Sequence, residues 1–228
     1  MKKILLVSAV LALAQAAFPQ GQIQFDNRAN TTGSPGTFPG AVIAPFYNVD
    51  PNCPTCIKKG NTSAGIPAGN QTYGGSLLAG SGYIATLYAR NSTTVQGADD
   101  ANNLNLVAVT TMRTNTTGIN AGRVAASATL ATVPDVAPNT ADRGTFQVRV
   151  WDSRGGTILT WADVLAHPDV ARGYSSLFTV PYALSIGSQP FPNLDGLTSF
   201  QLFIVPEPSV IALGVLGAGC LFLLRRRK

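Results

Sequence analysis

Glutamate is almost missing from this chain of 228 residues: Glu207 is its only one. Histidine is just as scarce, with His167 alone, and cysteine occurs three times, at Cys53, Cys56 and Cys220. Charged side chains make up only 12% of the chain, and away from the two ends lysine is confined to Lys58 and Lys59. Each shortage excludes a chemistry. A carboxylate pair for glycoside hydrolysis would have to be built from aspartate. A zinc site has too few cysteines and histidines near one another, because it needs two ligands beyond Cys53 and Cys56. No G-x-S-x-G stands in the body, and one histidine beside Pro168-Asp169 is only a fragment of a nucleophilic triad. His167 reads as a surface histidine near a helix end, and Asp99, Asp100 and Asp152 as turn residues.

What charge there is sits at the ends. The formal net charge is +5, from 16 Lys+Arg against 11 Asp+Glu. Lys2, Lys3, Arg225, Arg226, Arg227 and Lys228 are six of the cations. Without them and Glu207 the body carries ten charges of each sign. A nucleic-acid partner needs a basic surface on the folded part, and this composition argues against one.

The first residues read as an export signal. Met1-Lys2-Lys3 is a positive start, Ile4 to Leu13 an apolar run of secretory length, and Ala14-Gln15-Ala16 offers small residues to signal peptidase. Cleavage is expected after Ala16, or after Ala17. The last residues have three parts. Val205-Pro206-Glu207-Pro208-Ser209 is a short rigid motif. Val210 to Leu224 is uncharged and apolar. Arg225 to Lys228 is basic. As a helix, about fifteen residues span roughly 22 Å, short of a bilayer core of about 30 Å. Local thinning and snorkelling arginines make up the difference. The cations hold that end in the cytoplasm, and the prolines end the helix at the water boundary.

This tripartite tail resembles the PEP-CTERM sorting signal of Gram-negative bacteria. The resemblance implies an exosortase as processing partner and an exopolysaccharide-producing host. It makes Val205, Pro206, Glu207, Pro208 and Ser209 the sorting motif and Arg225, Arg226, Arg227 and Lys228 the membrane stop.

Between the ends, residues 17–204 have the length of one domain. Short apolar runs are separated by turns rich in Gly, Thr, Ser and Asn, the pattern of an all-β sandwich-like antiparallel domain. Strands are expected at Gln22–Asp26, Ala41–Tyr47, Ser81–Arg90, Leu106–Arg113, Val124–Val133, Thr145–Asp152, Tyr174–Val180 and Leu197–Val205. Thr145–Asp152 alternates, with Phe146, Val148 and Val150 on one face and Gln147, Arg149 and Trp151 on the other. The single helix candidate is Thr160–Ala171, capped by Thr160 with Asp163 three residues on and ended or kinked by Pro168. The body runs IQFDNR, SGYIATLYA, FQVRVWD, SSLFTV and GLTSFQLFIVPEPS resemble a secreted PEP-CTERM protein type abundant in Verrucomicrobia, which implies a β-rich exported domain without an assigned activity.

Cys53-Pro54-Thr55-Cys56 lies in a Pro- and Asn-rich loop from Asp50 to Gly75. In an exported chain a local disulfide is the expectation; a redox pair and a metal site are the alternatives. Trp151, Trp161, Tyr83 and Tyr88 are weighed between core packing and a sugar-binding face. The sequons at Asn30, Asn61, Asn70, Asn91 and Asn115 are placed on surface loops. The functional expectation is a non-enzymatic, structural protein of the cell surface or exopolysaccharide matrix, with no cofactor and no metal. The inner membrane is a transient station, and signal peptidase and the exosortase are the processing enzymes. The alternative is a carbohydrate-binding module, and a secreted hydrolase ranks below both.

Overall fold

The structure is a computed structural model and describes residues 20–29, 36–94, 102–125, 130–187 and 190–206. The export signal, Asn30, Asp99 and Asp100, and Glu207 to Lys228 fall outside the described residues. Among those described, no helix is long and apolar enough to cross a membrane.

The fold is mostly β, built from antiparallel sheets with one short helix. Its centre is the pairing of β4 (Tyr83–Asn91) with β7 (Gly144–Asp152), in register over nine residues from Tyr83↔Asp152 to Asn91↔Gly144. These are the two runs richest in alternating β-branched and aromatic residues, which suit a pleated, half-buried surface. β5 (Asn105–Thr111) pairs with β4, with a register shift at Leu87/Tyr88. β8 (Arg172–Tyr174) and β9 (Phe178–Thr179) both pair with the free side of β7. Two small antiparallel pairs complete the set. β1 (Gln22–Gln24) joins β6 (Leu130–Thr132), and β2 (Arg28–Ala29) joins β3 (Val42–Ile43).

Alternation on β7 sorts two cores. Phe146, Val148 and Val150 enter the main core with Leu87, Phe25, Phe46, Phe200 and Leu202. Trp151 points the other way, into a smaller cluster with Ile158, Val164 and Val170, closed by Ile84 and Trp161. Burial of these apolar side chains, worth roughly 1.5–3 kcal/mol for each large one, drives the assembly. Asn27, 1% exposed, ties the small pairs to it. Its Nδ2 donates to the carbonyls of Ala44 and Gly122, both at 2.8 Å, and its Oδ1 accepts from Val124 N–H at 3.0 Å.

Several expected strands come out shorter or broken, Gln22–Asp26 as Gln22–Gln24 among them. Of Ala41–Tyr47 only Val42–Ile43 is strand, with an isolated bridge at Tyr47. Of Val124–Val133 the strand is Leu130–Thr132. Tyr174–Val180 divides into β8 and β9 because Ser175 interrupts the ladder: its Oγ, not its backbone, accepts from Val148 N–H at 3.0 Å. Leu197–Val205 is extended but forms only isolated bridges. Its residues pair in turn with Lys59, Tyr47 and Arg172, so no ladder runs on. The helix α1 (Trp161–Ala166) begins where expected and stops two residues before Pro168, short of Ala171, with His167 before the proline already out of helix. The amide of His167 already bonds back to the Val164 carbonyl, and the chain turns there toward β8.

Candidate functional site

α1 is short, so its ends decide whether it forms. Thr160 Oγ1 accepts from Asp163 N–H at 3.2 Å, and Asp163 Oδ2 accepts from Thr160 N–H at 2.9 Å, which is the capping box. The Thr160 hydroxyl, followed by the backbone N–H groups, holds the Asp163 carboxyl below the ordinary aspartate range. At the other end Arg172 Nη1 donates to the Val164 carbonyl at 2.6 Å, a second, charged donor beside the His167 amide on an acceptor of the last turn. Val164 anchors the inner face, and Trp151 Nε1 donates to the Ile158 carbonyl at 3.0 Å just beneath. The helix is thus fastened over one end of β7, and beyond it the same face of β7 carries the polar residues Gln147 and Arg149, both buried.

Above them lies a cleft of about 370 Å³. Gln147 and Arg149 of β7 form its floor. Trp161 and Leu165 of α1 stand on one side, and Tyr174 to Leu177 on the other; Lys59 and Asn102 reach its rim. The aromatic rings run in a connected series: Trp151 to Trp161 at 5.8 Å, Trp161 to Tyr174 at 6.3 Å, Tyr174 to Phe203 at 6.0 Å, all edge to face. Two cations lie against ring faces. The Arg149 guanidinium is 4.0 Å from the Tyr88 ring centre and 5.1 Å from that of Trp161, and Lys59 Nζ is 3.9 Å from that of Tyr174. Arg149 Nε donates to Gln147 Oε1 at 2.8 Å, and Gln147 Nε2 donates to the Ser175 carbonyl at 3.2 Å, so the floor is fixed in one arrangement.

Burial lowers the pKa of both Arg149 and Lys59. For Arg149, the neighbouring Tyr88 works against that shift. Burial in turn raises the Tyr88 phenol, with Arg149 opposing. The cleft therefore combines positive charge, aromatic faces, amides and hydroxyls. Among the described residues, none of those lining it is acidic.

The sequence candidates separate on this geometry. Trp161 stands at the cleft, but Trp151 is 1% exposed and belongs to the second core, so of the two readings weighed for Trp151 core packing holds and the glycan-facing one does not. Its position on the face opposite Val148 and Val150 is as expected, but that face is covered by α1 at this end. Tyr83 packs against the main core, while Tyr88 supports Arg149. Cys53 and Cys56 are joined by a disulfide, with Cα atoms 5.4 Å apart. His167 is exposed, its Nδ1 2.8 Å from the Asp163 carbonyl of its own helix. Asp169 pairs with Arg154 at 2.6 Å. Asp152 accepts from Arg154 N–H at 2.8 Å, a turn contact. Of the described sequons, Asn70 and Asn115 are exposed, but Asn61 and Asn91 are buried with their amides bonded internally, which corrects their placement on surface loops. Val205 and Pro206 are the described part of the tail motif, and Val205 N–H is held by the Pro168 carbonyl at 3.1 Å.

Arg149, Gln147, Tyr174 and Lys59 were not singled out from the sequence. The alternation of Thr145–Asp152 already put Gln147 and Arg149 beside Trp151 on one face, and a buried cation flanked by polar residues on a strand was the signal available. Lys59 comes from a loop more than 80 residues away along the chain, and nothing local points it to β7. Among the described residues, no three His, Cys, Asp or Glu side chains group as metal ligands. No family model, no curated protein and no solved structure matches this chain.

Proposed function

We propose that this chain is an exported, non-enzymatic protein of the cell surface or exopolysaccharide matrix, delivered through its tail by an exosortase, and that its β-rich domain holds saccharide in the cleft beside α1. The domain is read as sandwich-like, with the small pairs β1–β6 and β2–β3 layered across the main core from β4 and β7. The cleft carries the saccharide reading. A ring face at Trp161, the exposed amide of Asn102 and the exposed hydroxyl of Ser176, beside the fixed Gln147, are groups of the kind that stack on and hydrogen-bond to a sugar. The delivery reading rests on the sequence of the two ends. Residues 1–16 would be the cleaved signal and residues 205–228 the sorting segment. The run Val210 to Leu224 would span the membrane until processing near Val205 to Pro208.

The test combines location and binding. Protein is recovered from the cell surface, its peptides are mass-mapped, and its retention on the host's own secreted polysaccharide is compared with that of Trp161→Ala. Surface protein lacking residues 210–228 and retained through Trp161 is the expected result. Surface protein still carrying residues 210–228 would make the tail a permanent anchor. Equal retention of Trp161→Ala would remove the cleft from the reading.

A further inference from the structure

The cleft is unusual in what surrounds its charge. Lys59 reaches the rim with its ammonium 3.9 Å from the Tyr174 ring centre. The ion pairs among the described residues are Lys58–Asp50, Arg123–Asp26 and Arg154–Asp169, so Lys59 is in none of them. Arg149 adds a second positive centre on the floor, 5% exposed and packed against Tyr88 and Trp161. Aromatic faces only partly replace the water that these cations have lost. A positive potential in a concave, partly dehydrated site is stronger than the same charges on open surface.

We infer that the cleft selects an acidic saccharide, a sugar unit bearing a carboxylate, by seating its ring against Trp161 and its carboxylate toward Lys59 and Arg149. The inference rests on the saccharide reading above and adds a charge requirement to it. Ring and carboxylate are on one small unit, and the cleft has the two features side by side. Its size, near the low end of the roughly 300–1,000 Å³ of small-ligand sites, suits a short piece of polymer and not a long one. Lys59 supplies the selectivity. Its charge is the one most readily matched by an incoming anion, because Arg149 is already bonded to Gln147.

The experiment uses calorimetric titration of the full chain in nonionic detergent with two probes, a trimer of galacturonic acid and the same trimer as its methyl ester. Both probes meet the same tail cations, which all variants share. The acid is expected to bind at least about tenfold more tightly than the ester, the size of one hydrogen bond to a charged group. Lys59→Gln should bring the acid to the level of the ester and leave the ester unchanged. Trp161→Leu should weaken both, and the acid preference should shrink as salt is raised. Equal binding of acid and ester, weakened by Trp161→Leu, would overturn the charge requirement and leave the saccharide reading standing. A preference that survives Lys59→Gln would also overturn it. Binding of neither trimer would sink both readings. So would tighter binding of a short oligothymidylate than of the acid trimer, since stacked bases would then be the better occupant.

Discussion

Replacing Asn27 by alanine tests how this fold is held where its strands are shortest. The Asn27 side chain joins three chain segments, at Ala44, Gly122 and Val124, and the partners at 122 and 124 lie 95 and 97 residues away. In Asn27→Ala the Gly122 carbonyl keeps a second donor, Phe46 N–H at 2.9 Å. The Ala44 carbonyl and the Val124 amide lose their described side-chain partner in a buried place. A buried group left without a hydrogen bond costs about 1–3 kcal/mol, so two such groups cost about 4 kcal/mol. Total stability for a domain is about 5–15 kcal/mol, so this is a large share of it. At roughly 2–4 °C per kcal/mol for this size, Tm should fall by about 12 °C in a thermal melt followed by near-UV circular dichroism. Asn27→Asp discriminates further. It keeps the acceptor for Val124 but loses both donors and sets a carboxylate against two carbonyls, so at pH 7 it should be no more stable than Asn27→Ala. Burial raises the pKa of that new carboxyl. The destabilisation is therefore full above the folded pKa and eases as pH falls through it, when the protonated group donates again. A Tm drop of less than about 2 °C for Asn27→Ala, or wild-type stability for Asn27→Asp at pH 7, would refute this account.

Three further outcomes are expected. Thr160→Ala should cost about 1 kcal/mol in a urea titration by removing the cap of α1. In the wild type the depressed carboxyl of Asp163 adds stability that is full above about pH 3.9 and is lost as pH falls through the lower folded value, a loss that Asp163→Asn should not show. Replacing Cys53 and Cys56 together by serine should cost about 2 kcal/mol, because the loop they close is so short; two free thiols in mass spectra of oxidised protein would contradict the bond itself. A protein of residues 17–204 should show no salt-sensitive retention on DNA, since its charges balance; tight binding that falls steeply with salt would contradict that.

The central pair was legible because β4 and β7 carry their own evidence. Alternation over Thr145–Asp152 and the β-branched and aromatic run around Tyr83–Arg90 need no help from distant residues. The cap of α1 was equally local, as Thr160 and Asp163 are three residues apart. The stretches read too long share a different physics. Leu197–Val205 and Ala41–Tyr47 have strand-like composition, but their backbone groups are taken singly by several partners, and composition does not record which partner is available. Asn61 shows the same limit from the polar side. It reads as a loop residue, yet its Nδ2 donates to the Pro67 carbonyl and its Oδ1 accepts from Ser199 N–H, 138 residues on, so the loop from Asp50 to Gly75 is organised by a buried amide. The cleft was half legible: Gln147 and Arg149 follow from the period of one strand, whereas Lys59 arrives through that same loop.

The backbone bond from Val205 to Pro168, with that from Ile204 N–H to the Pro54 carbonyl at 2.8 Å, sets a tether length. The chain is fastened to the domain up to Val205, and Val210 opens the apolar run. Five residues at full stretch reach no more than about 18 Å. If Val210 to Leu224 occupies a bilayer, the face bearing Pro54 and Pro168 stays within that distance of the lipid headgroups. Tyr174 lies against Phe203, two residues before Val205, so one wall of the cleft rests on the segment that leads into Val205 and Pro206.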